Sequence, residues 1–119
     1  MSLFAQLRKG STEIAILRLL CERPMYGYEI AQELERRSEG YLAAQEGLLY
    51  PTLHRLEKDG LLAAEWRPGE GGPRRKYYRL TARGHQALAA SLREWREFRE
   101  RLTTLLEGGP CGSAEPLPG

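Results

Sequence analysis

Residues 45–60 read QEGLLYPTLHRLEKDG, and the chain is organised around them. Leu49, Leu53 and Leu56 recur at spacings of four and three, which puts them on one apolar stripe of a helix that must face a core. On the same ideal helix Gly47, Pro51, His54 and Lys58 fall on the opposite side, with Leu48 and Arg55 on its flank and Tyr50 between the faces. That outward face carries donors and no carboxylate, because Glu57 and Asp59 lie off it. Gly60 supplies the left-handed residue that ends a helix. A short helix of this kind suits the DNA major groove, where base edges offer acceptors to Arg, Lys and His. An ordinary amphipathic helix with a solvated basic face would show the same pattern.

Upstream, Ser11 is a candidate N-cap, with Glu13 in the first turn where the helix dipole favours an acid. Ile14, Ile16, Leu17, Leu19, Leu20 and Cys21 follow, apolar over most of the circumference, and Pro24 closes this segment. Residues 25–38, MYGYEIAQELERRS, restart a helix: Tyr28, Ile30, Ala31 and Leu34 make one face, Glu29, Gln32, Glu33, Arg36 and Arg37 the other. Three short helices, the last bearing the cationic face, match a helix-turn-helix arrangement. A three-helix bundle without a DNA role has the same periodicity. Residues 1–10 are weakly amphipathic through Leu3, Phe4 and Leu7 and are expected to form an N-terminal arm.

After Gly60 the period changes. Residues 61–66, LLAAEW, and 75–80, RKYYRL, flank PGEGG, so this stretch is expected to form a β-hairpin with Tyr78 and Leu80 on one side and Tyr77 and Arg79 on the other. Across residues 65–83 six basic residues (Arg67, Arg74, Arg75, Lys76, Arg79, Arg83) face two acidic ones (Glu65, Glu70). The hairpin thus holds the positive charge that the whole chain, at +2, lacks. A glycine-rich tip flanked by Arg67, Arg74, Arg75 and Lys76 fits a wing lying along the phosphate backbone. A solvated hairpin whose charged edges discourage strand pairing is the other reading.

Thr81 can cap a final helix running to about Glu107, close to 40 Å long at ~1.5 Å per residue. Leu88, Leu92, Trp95, Leu102 and Leu106 follow a heptad-like spacing, which Phe98 and Leu105 widen and Arg99 interrupts. An apolar stripe on a helix that outruns its own domain needs a partner, and a twofold homodimer is the simplest. The Gly/Pro-rich tail, residues 108–119, is expected to be disordered. The expected division is therefore an arm (1–10), a winged helix-turn-helix domain (11–80), a dimerisation helix (81–107) and a tail. The fold class is mainly α with a small β-hairpin.

At 119 residues the chain has room for one core. Its two cysteines, Cys21 in the apolar run and Cys111 in the tail, fit reduced thiols and offer neither a disulfide framework nor metal spacing. No apolar run of spanning length and no signal pattern occurs, so a cytoplasmic protein is expected. His54 and His85 stand without a Ser, Cys or carboxylate at catalytic spacing. The expectation is therefore no enzyme, no metal and no cofactor.

Three motifs then combine. G-x-L-Y-P-x-L-x-R-L-E-x-x-G (Gly47–Gly60), preceded by MYGYEI (Met25–Ile30) and followed by R-R-K-Y-Y-R-L-T-x-x-G (Arg74–Gly84), resembles the PadR family of bacterial transcriptional regulators over residues 10–107. The resemblance implies a winged helix-turn-helix with a C-terminal dimerisation helix, as a rule a repressor on a palindromic double-stranded operator, released by a small molecule or stress. The single C-terminal helix is similar to the shorter subfamily. Carried over by motif, Tyr50 and Arg55 match the DNA-reading helix, Tyr26 and Tyr28 the start of helix two, and Arg74, Arg75 and Lys76 the basic wing. Gln45, His54, Lys58 and Arg67 complete the expected DNA-facing set, although Ala44 and Gln45 stand where relatives carry a capping Ser or Thr.

Leu88, Leu92, Trp95, Phe98, Leu102, Leu105 and Leu106 form the expected dimer interface. Trp95 and Phe98 are the candidates for a small aromatic or cationic effector, since some family members bind flat aromatic drugs against a tryptophan of this helix. Filling the dimer core is the alternative role for Trp95. The alternative for the whole chain is a protein-interaction adaptor built on the winged domain and the coiled-coil helix.

Overall fold

The computed structural model describes residues 3–42 and 46–112. Helices α1 (Leu3–Glu22), α2 (Gly27–Arg37) and α3 (Glu46–Lys58) precede a hairpin of β2 (Leu62–Gly69) and β3 (Gly72–Leu80), and α4 (Ala82–Glu107) closes the chain. A two-residue strand, β1 (Met25–Tyr26), completes a three-stranded antiparallel sheet of order β1-β3-β2.

Most of the residues that the periodicity marks enter the core, but Tyr28, expected on the apolar face of α2, is 60% exposed because that face is buried only at Ile30 and Leu34. Ile16, Leu17, Leu19 and Leu20 of α1, Ile30 and Leu34 of α2 and the Leu49–Leu53–Leu56 stripe of α3 are buried together with Met25, Leu62, Tyr78, Leu80 and Leu88. Leu53 and Leu56 are fully inaccessible, so truncating either removes contacts worth ~2–5 kcal/mol. The end of α3 follows from Gly60, whose φ of +79° lets the chain close a Schellman pair. The amide of Leu61 donates to the Leu56 carbonyl at 3.0 Å and that of Gly60 to Glu57 at 3.0 Å. Pro51 sits inside α3, where its missing N–H leaves the Gly47 carbonyl without its helical donor.

Several expectations change. Ser11 does not stand at a helix start: α1 runs without a break from Leu3, so much of the expected arm is the first part of the helix. Residues 1 and 2 lie outside the described set. Cys21, expected in the helix core, is exposed; α1 buries one stripe, and Cys21 is turned off it. Residues 25 and 26 form β1, with Met25 opposite Tyr78 and Tyr26 opposite Tyr77. A strand of two residues is too short to show a period, which is why the sequence pattern points to a helix there. The hairpin strands extend further toward the tip than expected, leaving a turn at Glu70 and Gly71. Register slips by one residue between Arg67 and Gly69. Pro68 is tolerated because β2 is an edge strand.

Thr81 caps α4 as expected: its hydroxyl accepts from the Gly84 amide at 3.0 Å and donates to the Gly60 carbonyl at 2.7 Å. That second bond ties the start of α4 to the end of α3. The 26 residues of α4 span roughly 39 Å at about 1.5 Å each. The helix projects beyond the domain, as the extents of 68 × 27 × 23 Å and the radius of gyration of 18.7 Å record; a compact chain of this length has about 13.5 Å.

The stripe along α4 divides in two. Leu88 is buried in the chain's own core, which corrects its assignment to a dimer seam: at this level the domain itself covers the helix, while Leu92 packs against the core and stays partly exposed. Beyond them Trp95, Phe98, Leu102, Leu105 and Leu106 are exposed. Residues 108–112 carry no regular structure, and residues 113–119 lie outside the described set.

Candidate nucleic-acid interface

Helix α3 and the hairpin meet through a salt bridge. Lys76 Nζ on β3 lies 3.0 Å from Glu57 Oε1 on α3, and this hydrogen bond holds the lysine pKa above its ordinary value. Lys76 also lies 5.2 Å from the ring centre of Tyr78, whose own pKa is raised by burial. The lysine expected to meet phosphate therefore fastens the wing to the helix.

Around the base of the wing, aromatic rings and guanidinium groups alternate. Tyr26 stacks with Tyr28 at 6.4 Å between centroids and meets Tyr77 at 5.4 Å. The Arg75 guanidinium lies 4.5 Å over Tyr26, and that of Arg67 lies 4.6 Å over Tyr77. Such contacts give a flexible cation a preferred place while leaving its N–H groups outward. Arg67 also donates to Glu65 at 2.7 Å, and Arg74 reaches the Trp66 carbonyl at 3.4 Å. The β-strand pairing Tyr26–Tyr77 brings this cluster together from residues some 50 positions apart.

On α3, His54 and Lys58 are exposed and have no ion pair among the described residues. Tyr50 is 40% exposed because its ring leans on Gly27 at the start of α2. A Cβ at Gly27 would stand 2.7 Å from the Tyr50 ring, so the YGYE glycine exists to let the tyrosine in. Arg55 is turned toward α1, with Nη2 2.8 Å from Glu13 Oε2, and that hydrogen bond raises its pKa. Gln45 lies outside the described residues.

Sequence reasoning missed the partners more than the cations. Glu13, placed by sequence only as a first-turn acid, reaches a residue 42 positions away. Tyr77, expected on the side of the strand opposite Tyr78, is the platform for Arg67. Trp66, 58% exposed on β2, carries no signal beyond its place in an alternating strand.

The two aromatic effector candidates, Trp95 and Phe98, stand 6.2 Å apart between centroids. They border an open cavity of about 320 Å³ between α1 and α4, whose lining includes Glu13, Ile14, Leu17 and Glu94. Among the described residues no group of three or more His, Cys, Asp or Glu is placed to hold a metal ion, and no helix is long and apolar enough to cross a membrane.

Three packed helices, the third with one face buried and the other exposed, followed by a basic hairpin, define a winged helix-turn-helix protein of the DNA-binding type. The chain belongs to the PadR-like family of transcriptional regulators, whose profile matches residues 16–90. A transcriptional regulator of Mycobacterium tuberculosis is 39% identical over 109 residues, 92% of this chain and 94% of its own length. The solved structure of a PadR-like transcriptional regulator from Bacillus cereus matches with a TM-score of 0.78 at 32% identity, covering 87% of this chain and 99% of that one. A PadR family transcription regulator from Clostridium difficile matches with a TM-score of 0.72 at 35% identity, covering 80% and 97%.

Proposed function

We propose that the chain is a homodimeric repressor acting in the cytoplasm on a palindromic double-stranded operator and released by a small-molecule effector. The observation that carries the reading is the projecting end of α4. Leu105 and Leu106 there are 78% and 70% exposed on a helix that has left its own domain. A monomer has no use for such a surface, and a second copy crossing it buries both. Two α3 helices in that dimer enter successive major grooves about 34 Å apart, with the wings on flanking phosphates. His54, Lys58 and Tyr50 then meet bases or phosphates from α3, Arg67, Arg74 and Arg75 meet phosphates from the wing, and Tyr26 and Tyr28 border the duplex at the start of α2.

The effector reading is supported by the cavity at Trp95 and Phe98, where two rings and the carboxylates of Glu13 and Glu94 suit a planar aromatic cation. The test is a mobility shift of the protein's own promoter DNA at moderate salt with competitor present, alongside sedimentation to give the mass. A retarded, competitor-resistant complex of two chains supports the reading. A protein monomeric at micromolar concentration, or one that never retards the fragment, overturns it. Fluorescence of a Trp66→Phe variant, which leaves Trp95 as the only indole, then follows planar cations; no quenching removes the effector.

A further inference from the structure

Arg55 differs from its neighbours on α3. His54 and Lys58 are exposed with no ion pair among the described residues, whereas Arg55 crosses to α1 and meets Glu13 at 2.8 Å. We propose that Glu13 sets the DNA affinity of this protein, its carboxylate holding Arg55 aside and giving it up when a duplex phosphate arrives. The proposal rests on the DNA-binding reading above.

Both side chains are about half exposed, 52% for Arg55 and 41% for Glu13, and a pair this wet is worth little to the fold. It is therefore easily exchanged. A phosphate offers the guanidinium the same charge-assisted hydrogen bond in bidentate form, with release of the duplex's condensed counterions added. An arginine neutralised by its own chain adds nothing to the field that draws duplexes in, so the pair lowers affinity for every sequence until contact is close.

The same carboxylate borders the cavity beside Trp95 and Phe98. Glu13 thus touches both the α1–α4 cavity and a side chain of α3.

The test uses the full chain and a mixed-sequence duplex, so it does not wait on an operator. Binding is titrated against salt for the wild type, Glu13→Gln, Arg55→Ala and the double variant. Glu13→Gln is expected to tighten binding about two- to fivefold, the range an exposed pair allows. Its salt slope should stay that of the wild type, because Arg55 reaches a phosphate in both complexes. The double variant is expected to bind no more tightly than Arg55→Ala alone, because the effect runs through that side chain.

An unchanged affinity in Glu13→Gln overturns the proposal. So does tightening that survives in the double variant, which would be the plain loss of a negative charge. Failure of the wild type to bind any duplex is a different result, removing the DNA-binding reading itself and this device with it. Thermal melting of each variant, expected to match the wild type given the exposure of both residues, separates these outcomes from loss of fold.

Discussion

Replacing Leu105 by alanine isolates the projecting part of α4 from the rest of the molecule. Leu105 is 78% exposed, so its truncation leaves the subunit's core untouched, and any effect must come from what covers it. Fully burying a leucine is worth ~1.5–3 kcal/mol. With about three-quarters of that still to be gained at this position, and alanine keeping only its methyl, each copy loses ~1–2 kcal/mol. A twofold dimer contains the residue twice, so its dissociation constant should rise roughly 30- to 1,000-fold. Sedimentation equilibrium over a range of concentrations measures this directly, with circular dichroism to show that the helix content is kept.

Leu88→Ala is the contrasting variant on the same helix. Leu88 is buried among the chain's own core residues, so its loss should lower unfolding stability by ~2–5 kcal/mol. Dimerisation should then weaken only as far as the fold does. An unchanged dissociation constant for Leu105→Ala, in a protein that is otherwise dimeric, would show that the seam does not run along this face.

Three further outcomes are expected. Arg75→Ala removes a guanidinium held over Tyr26. It should weaken binding to all duplexes alike and flatten the salt slope by about 0.9 for each phosphate that the variant leaves unneutralised; an unchanged slope takes the wing out of the interface. Gly60→Ala forces a side chain onto a backbone with φ of +79° and should lower stability by about 1 kcal/mol, measured as a shift of the urea midpoint at constant m. The third concerns pH. Hydrogen bonds from Arg37, and secondarily from Arg18, hold the Glu22 pKa at about 2, below the ordinary 4.5. A depressed carboxyl stabilises the fold above the unfolded-state value, and this stabilisation is lost as pH falls from about 4.5 through about 2. Urea midpoints followed over that window should fall more steeply for the wild type than for Glu22→Gln, and parallel curves would show that the Arg37–Glu22 salt bridge between α2 and α1 is not kept in solution.

Helix α3, its leucine stripe, the glycine that ends it, the threonine cap of α4 and the alternation that buries Tyr78 and Leu80 are all legible in the chain as written. Each depends on neighbours within a turn or a strand, and local geometry sets periods of 3.6 and 2 that survive any tertiary context. Where the reading fell short, the deciding contact was remote. Ser11 is the exception: it has the chemistry of a cap, but the adjoining residues 3–10 extend the helix ahead of it. Met25 and Tyr26 are extended because β3 offers them a ladder from Tyr77 and Tyr78.

The division of α4 shows the same limit. Leu88 and Leu106 occupy equivalent places in one apolar repeat, and nothing in the repeat says that the first faces its own domain while the second, 70% exposed, does not. Only the point at which the helix leaves the packed layer decides it. The cations follow suit: composition concentrates them in the hairpin and on α3, because charge is a property of residues. Which are held by Glu13, Glu57 or a tyrosine ring is a property of distance, and segments as far apart as Arg55 and Glu13 or Arg75 and Tyr26 acquire such distances only when the core beneath them closes.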